Sequence, residues 1–323
     1  MKKRLILSAA LLSGVLGSCE KDTTQTEETE VQVSAVQVST KLPEATPIYT
    51  NLSSMDNEII PDGIDSQSGN LSYKVLMAEY ITSGDADRIG RTVFFDDRGS
   101  KQLAGDFVPE LALDGTPDIS YYVDNNRPSG DLPAAVTEAA IDRAMASWNE
   151  VNCSELGMTK VPATDIPRGF IAALFGYGGS FDYIADVTHA GWLPRDFFDL
   201  LDEDGGDFIL GATFTIVFTD SDGNLVDTDN NGKYDVAWRE TYYNDELTWQ
   251  DGDTFDVESV ALHEAGHGLS QAHFGAAFIT GPNNNLHFAP RAVMNAAYSG
   301  VQTQIAKSDK GGHCSNWSSW PDR

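Results

Sequence analysis

The sequence predicts an α+β fold, with a mixed twisted sheet, two main helices and a coil-rich C-terminal part. Several runs alternate apolar and polar residues and end in turn residues, which is typical of strands. Two other segments repeat apolar residues at helical spacing. Beyond the second of these helices, at about residue 270, neither period continues.

The domain is predicted to begin with two strands and a long helix. The runs "GRTVFFDDRG" and "PDISYYVDNN" have the alternation and the flanking turn residues of strands. Asp131 then stands where a helix cap is expected. The helix that follows runs to about residue 151 and has apolar residues at every fourth position, namely Val136, Ala140, Ala144 and Trp148.

The middle of the chain returns to strands. "GFIAALFGYGGSFDYIADV" predicts a strand, a glycine turn and another strand, and "LPRDFFDLL" predicts a short helix. "DFILGATFTIVFTD" is strongly β in composition. An acidic loop and "VAWRETYYND" follow, and Asp256 opens the second main helix.

The N-terminus has the features of an export signal. A basic start precedes an apolar stretch, residues 5–15, that is too short to span a bilayer. Residues 16–19 resemble a bacterial lipobox, which implies removal of residues 1–18 and acylation of Cys19; an ordinary signal with a chance cysteine is the alternative. Residues 20–22 resemble a tag for the outer face of Gram-negative cells. We therefore expect a protein of the bacterial cell envelope, at the outer membrane or cell surface, that contacts the membrane only through lipid.

Three segments follow the signal. Residues 19–57 are rich in Thr, Glu, Val, Gln and Ser, which predicts a flexible tether. Residues 58–88 fit an extension, a pro-segment or an extra element. Residues 89–323 are expected to form the functional domain, which we expect to be a monomer.

Charge and cysteine content narrow the possible partners. The net charge is −28 and the sequence pI is about 4.3, which argues against a nucleic-acid partner because phosphates require clustered cations. Besides Cys19, the chain has Cys153 and Cys314. Two leftover cysteines in an exported domain usually pair, and two buried thiols are the alternative.

Three of the six histidines lie in "HEAGHGLSQAHFG". His263 and His267 are four residues apart, so a helix places both imidazoles on one face, as a zinc clamp requires. Glycines after the helix predict a turn that brings His273 to the same metal. Glu264 is left as the acid/base for water. Histidines on a solvated helix face are the alternative.

This stretch resembles the zinc-binding motif of the metzincins, a class of zinc endopeptidases, and "APRAVMNAAY" resembles the Met-turn of their matrixin branch. The resemblance covers roughly residues 90–320 and is strong only around the zinc motif. It implies that Met294 lies beneath the metal. The same resemblance makes "DVTHAGWLP" the strand at the edge of the cleft. It also implies that three residues line a substrate pocket: Ala296, Ala297 and Tyr298.

The chain departs from that family pattern at three points. Ser270 stands where glycine is usual, so a positive φ there would cost about 1–3 kcal/mol. Phe274 replaces the usual serine after the third histidine. Only His189 is present where a second zinc would need several histidines, so we expect one zinc and interpret His189 as a hydrogen-bonding residue at the cleft edge.

The acidic loop "DSDGNLVDTDNNGKYD" predicts a calcium site. Its candidate ligands begin as in an EF-hand, with Gly232 at the turn, and are Asp227, Asp229, Asn231 and Asp235. Trp238 stands at the position of the final bidentate glutamate, so Asp220, Asp222 or Glu240 would have to complete the shell. A plain solvated turn is the alternative.

Together these features predict a lipid-anchored zinc endopeptidase that acts on protein or peptide substrates, with Zn²⁺ and Ca²⁺ as cofactors. The alternative is a surface binding or adhesion module that keeps the metal only to stabilise its scaffold. A free Glu264 favours the enzyme, because a structural zinc has no use for it.

Overall fold

The computed structural model describes residues 40–41, 48–49, 71–84, 88–95, 105–281 and 285–322. Its strands are β1 Thr40–Lys41, β2 Ile48–Tyr49, β3 Ser72–Thr82, β4 Thr92–Phe94, β5 Ile119–Val123, β6 Met158–Lys160, β7 Val187–Leu193, β8 Ile209–Thr219, β9 Val236–Asn244, β10 Trp249–Gln250, β11 Phe255–Asp256, β12 Ala276–Thr280 and β13 Asn285–Ala289. Its α-helices are α1 Ala134–Asn149, α2 Phe170–Leu174, α3 Arg195–Phe198, α4 Val257–Gly268 and α5 Lys307–Trp317. The predicted signal, with Cys19, lies outside the described residues.

Eight of these strands form the main sheet, in the order β2-β4-β3-β8-β9-β7-β5-β6. β6, β5, β7 and β9 are parallel to one another, and β8 is antiparallel to β9. β3 pairs with β8 in the antiparallel direction. This mixed sheet with few helices in the described part of the chain agrees with the predicted α+β class.

The sheet is buried on both faces. Apolar side chains of α1 and α4 pack on one face, and those of α2 and α3 pack on the other. β8 is buried along its whole length, which explains its continuous apolar composition. Between α1 and α4, the indole N–H of Trp148 donates to the Leu262 carbonyl at 2.8 Å. α4 is therefore held against the sheet and α1 together.

β3 lies within residues 58–88, the segment expected to be an extension, a pro-segment or an extra element. It pairs with β8 from Ser72 opposite Thr219 to Thr82 opposite Ile209, and its last eight residues are all buried. The segment that had no firm role in the sequence therefore contributes an internal strand. Its partner lies more than 120 residues downstream, and pairing at that distance has no local signature.

Two other segments differ from their predicted structure. "FIAAL" is helix α2 and not a strand, because Glu240 in β9 accepts the Phe170 and Ile171 N–H groups at 2.7 and 2.9 Å and so caps the helix. Asp131 does not cap α1, which begins after Pro133; its carboxylate accepts the Trp249 N–H at 2.8 Å. Both differences arise from contacts with β-structure far along the chain.

The coil-rich end contains a third long helix, α5, which the sequence did not predict. Its two glycines lower helix propensity, so tertiary contacts must hold it. Asp309 accepts the N–H groups of Ala306, Val293 and Met294 at 2.9–3.1 Å. Cys314 in α5 is joined to Cys153 by a disulfide with 5.7 Å between the Cα atoms.

None of the helices in the described ranges combines the length and apolar character needed to cross a bilayer.

Candidate metal centre

Helix α4 positions the first two histidines. As predicted, Asp256 caps the helix, accepting the Ser259 N–H at 2.8 Å. The helix is buried almost throughout, and His263 and His267 are each 1% exposed. Buried imidazoles require partners, so the burial argues against histidines on a solvated face.

The structure brings His263, His267 and His273 together. Their three Nε2 atoms lie 3.0–3.1 Å apart. The Nδ1 atoms of His263 and His267 lie 2.7 Å from the carbonyls of Val293 and Gln271. Because a carbonyl only accepts, Nδ1 carries the proton and the Nε2 lone pairs face one another. Three converging neutral donors of this kind fit a tetrahedral zinc ion with one open position.

The turn after α4 is held by a buried arginine. Ser270 adopts φ 67°, the positive value expected where the family pattern has glycine. Arg239 in β9 donates from Nη1 to the Gly268 carbonyl at 3.1 Å and to Ser270 Oγ at 3.0 Å. Burial lowers the pKa of Arg239 to about 10, so it stays charged at neutral pH. This contact fixes the turn that returns His273 to the triad.

Glu264 lies between α4 and β8. Its Oε2 accepts the Thr213 hydroxyl at 2.6 Å, and Oε1 has no hydrogen-bond donor of good geometry among the described residues. Burial raises the pKa of this carboxyl group to about 7, although His267, the Thr213 hydroxyl and, least of all, the Ile81 backbone N–H act to lower it. One carboxylate oxygen of Glu264 thus lies buried without a well-aligned hydrogen-bond donor among the described residues.

Burial and neighbouring charges shift the pKa values of the three histidines in different directions. Burial and the neighbouring His267 lower the pKa of His263 well below its usual value, and burial likewise lowers that of His273. Burial also acts to lower the pKa of His267, but the Glu79 carboxylate, 3.0 Å from its Nδ1, more than compensates and the net shift is upward. Glu79 is therefore a second acidic partner of the triad, which the sequence did not reveal because it lies in β3.

Met294 lies directly beneath α4. It is fully buried, and a Cβ on Gly266 would lie 2.2 Å from its sulfur, so the helix needs glycine there. Its carbonyl accepts the Phe274 N–H at 3.0 Å, which ties the turn to the residue after His273. Asn295 strengthens that tie by donating to the Phe274 carbonyl at 2.9 Å.

The predicted pocket residues face the chain itself. The Ala296 carbonyl accepts the Gly90 N–H at 2.5 Å, and the Tyr298 N–H donates to the Thr82 carbonyl at 2.7 Å. Ala297 is 3% exposed. Residues on both sides of the gap at 85–87, Thr82 and Gly90, therefore bond to the backbone of the predicted pocket segment, and Gly90 also lies against His273.

The strand "DVTHAGWLP", expected at the edge of the cleft, is not at an edge of the sheet. It forms β7, which lies between β5 and β9. His189 in β7 is completely buried, 2.7 Å from the Tyr243 hydroxyl, and burial lowers its pKa to about 3. His189 does form a hydrogen bond, but inside the sheet, where parallel strands are covered on both sides.

The acidic loop joins β8 to β9 and gathers three of its predicted ligands. One carboxylate oxygen from each of Asp227, Asp229 and Asp235 lies within 4.8 Å of the others. Asp235 is fully buried, and its Oδ1 has no hydrogen-bond donor among the described residues. Burial raises the pKa of Asp235, and the charges of Asp229 and Asp227 add to the increase. A cation would relieve this repulsion.

The other residues considered as calcium ligands make contacts of their own. Asn231 directs its amide nitrogen to Asp106 Oδ2 at 2.9 Å, so Asp106 borders the loop, although the sequence gave no reason to include it. Glu240 is not available, because its carboxylate caps α2. Asp220 accepts hydrogen bonds within its own turn from Asp222 and Asn224. Calcium binding here stays a prediction.

A scan against protein-family models finds no match to this chain, and a search of curated proteins finds none either.

Proposed function

We propose that the protein is a zinc-dependent endopeptidase of the metzincin class, similar to its matrixin branch. The observation that carries the proposal is the convergence of three histidine Nε2 atoms at 3.0–3.1 Å, next to a buried glutamate with an available oxygen. A zinc ion that only stabilised the fold would be expected to have four protein ligands. The arrangement of three ligands and a separate carboxylate instead suits hydrolysis.

The residues around the triad have separate roles in this proposal. His263, His267 and His273 would hold a zinc ion, and that ion would supply a Lewis acid for the activation of water near neutral pH. Glu264 takes the proton from that water and returns it to the leaving amine. Thr213 orients the carboxylate through its 2.6 Å hydrogen bond, so the oxygen that remains is the one that moves the proton.

We also propose that Cys19 carries lipid and places the domain at the outer membrane or cell surface of a bacterium. The lipobox-like residues 16–19 support this. Cys19→Ala should release the protein into the soluble fraction of lysed cells. An unchanged membrane fraction would contradict the proposal.

A second function is favoured by the burial of the site. Glu264 is 0% exposed, and the backbone at Gly90 packs against His273. This would suit a non-catalytic surface module in which the metal stabilises a scaffold. Such a module needs no proton acceptor beside the metal, so the position of Glu264 makes it the weaker candidate.

Casein hydrolysis by the purified full chain separates the two functions. The peptidase should hydrolyse casein, stop when a chelator removes its zinc, and recover when zinc is restored. The scaffold should instead lose thermal stability with chelator and show no hydrolysis with zinc bound. Absence of bound zinc in the purified chain would contradict both.

A further inference from the structure

The groove beside Glu264 is filled by the chain's own strand. Thr213 in β8 contacts Glu264, and β3 pairs with β8 along this stretch. On the other side of β3, the Thr82 carbonyl accepts the Tyr298 N–H at 2.7 Å, and Thr82 forms a parallel bridge with Ala297. The end of β3 is thus hydrogen-bonded on both sides, next to the proposed proton acceptor.

The returning segment after β3 completes the cover. Gly90 donates its N–H to the Ala296 carbonyl, and a Cβ at Gly90 would lie 3.1 Å from His273 Cε1 and 2.0 Å from the Tyr80 carbonyl. The backbone at Gly90 therefore packs directly against the third histidine. No side chain larger than hydrogen fits there without moving the segment.

A peptide substrate would need the same place. Extended peptides bind enzymes by adding to a strand edge, where main-chain hydrogen bonds supply affinity. The strand nearest Glu264 is β8, and its two edges are taken by β9 and β3. Only the β3 side also reaches the 296–298 segment, so a substrate lying between β8 and that segment would coincide with β3.

We infer that β3 and the Gly90 segment are a built-in occupant of the substrate groove, so that the described form of the chain is self-blocked. This inference rests on the proposed peptidase function. Residues of β3 are buried on both faces of the sheet, so the occupant leaves only when that apolar contact is broken. The rate of hydrolysis by the full chain is then proportional to the fraction of molecules in which β3 is open, and the chemical step still determines the rate within that fraction.

The Asp202 carboxylate forms hydrogen bonds with both β3 and the Gly90 segment. Asp202 accepts the Tyr80 hydroxyl at 2.8 Å and Arg88 Nη1 at 3.3 Å. Tyr80 belongs to β3, and Arg88 to the returning segment. Asp202 forms no described hydrogen bond to the triad or to Glu264. A substitution at Asp202 should therefore loosen β3 and the Gly90 segment without altering the metal site.

The test compares Asp202→Asn with Asp251→Asn, in full-length zinc-loaded protein. Asp251 pairs with Arg143 on the surface and is the matched control for loss of one carboxylate charge. We expect Asp202→Asn to speed zinc extraction by EDTA about tenfold and to speed amide exchange in residues 72–82, because hydrogen bonds to a charged group are lost. Gly90→Ala, which must shift the segment, should act in the same direction.

Casein hydrolysis should rise with the rate of zinc extraction. If EDTA extracts zinc equally fast from the wild type, Asp202→Asn and Gly90→Ala, the triad is reached without moving β3 and the inference is wrong. If extraction and exchange accelerate but no variant hydrolyses casein, β3 does cover the metal and it is the peptidase assignment that fails. The EDTA measurement therefore separates the two failures.

Discussion

The histidine triad and the acidic loop are two candidate metal sites whose ligands differ in charge. In the triad the donors are neutral, and backbone carbonyls orient two of them at 2.7 Å. In the loop the donors are carboxylates that accept hydrogen bonds from the loop's own N–H groups, such as Gly232 to Asp227 at 2.9 Å. Neutral donors converge without repulsion, whereas Asp227, Asp229 and Asp235 repel one another.

The contrast indicates what each metal would do. The triad is held by α4, by the turn after it and by the Val293 carbonyl, so its geometry is set by the protein, and a zinc ion bound there would add the proposed chemistry. The acidic loop is tied to other segments through side chains, with Asn231 donating to Asp106 and Lys233 to Asn316, and a cation among its carboxylates would supply a further part of the structure. We therefore expect changes at the triad to affect activity most, and changes at the loop to affect only stability.

The largest expected effect is that of Glu264→Gln. The amide cannot accept a proton, so peptide hydrolysis should fall about 10²–10⁴-fold while zinc stays bound. Glu258→Gln on the same helix, whose carboxylate pairs with Arg143, is the control and should keep full activity. The test measures zinc content and peptide hydrolysis for both variants. Near-native turnover of Glu264→Gln, or loss of its zinc, would contradict the assigned role.

His267→Ala should lose zinc and stability together. Zinc that binds only the folded state contributes to its stability, so the melting temperature should fall by several degrees and become insensitive to chelator. The exposed His287 in β13 is the control, because His287→Ala leaves the triad intact. Thermal melts with and without EDTA test this. A zinc-loaded His267→Ala would show that the histidines do not bind the metal as proposed.

Calcium should stabilise the protein without changing the chemistry. At a hundred times the dissociation constant, binding adds about 2.7 kcal/mol, which for a domain of this size raises the melting temperature by about 5–10 °C. Asp235→Asn should remove most of that shift, and Asp251→Asn, which removes a surface carboxylate paired with Arg143 outside the cluster, should not. Zinc is held constant in these melts. Identical curves with and without calcium would support the plain turn.

The site residues that could be predicted from the sequence are those that a short local pattern identifies. His263 and His267 follow from helical spacing, and the Asp256 cap from its position before the helix. Glu79 and Asp309 could not be found in this way, because each contacts its partner through a fold that no short stretch encodes. The same reason explains why helix α2 was taken for a strand, since its cap is Glu240 from a distant strand.

The smallest expected effect concerns the turn that frames the triad. Ser270 adopts a left-handed conformation, which costs about 1–3 kcal/mol for a residue other than glycine, yet its hydroxyl accepts a hydrogen bond from Arg239 at 3.0 Å. Ser270→Ala keeps the strain and removes the acceptor, so it should destabilise by about 1–3 kcal/mol. Ser270→Gly removes both, so the two effects oppose each other and stability should stay within about 1 kcal/mol of the wild type.

Urea unfolding of both variants, with zinc and calcium held constant, measures this difference. The order wild type, glycine, alanine is expected only if the hydrogen bond offsets the strain at Ser270. Equal stability of Ser270→Ala and the wild type would mean that the Gly268 and Gly105 carbonyls and the Thr215 hydroxyl satisfy Arg239 without Ser270. The frame of the triad would then depend on fewer contacts than the structure indicates, and its contrast with the acidic loop would be correspondingly weaker.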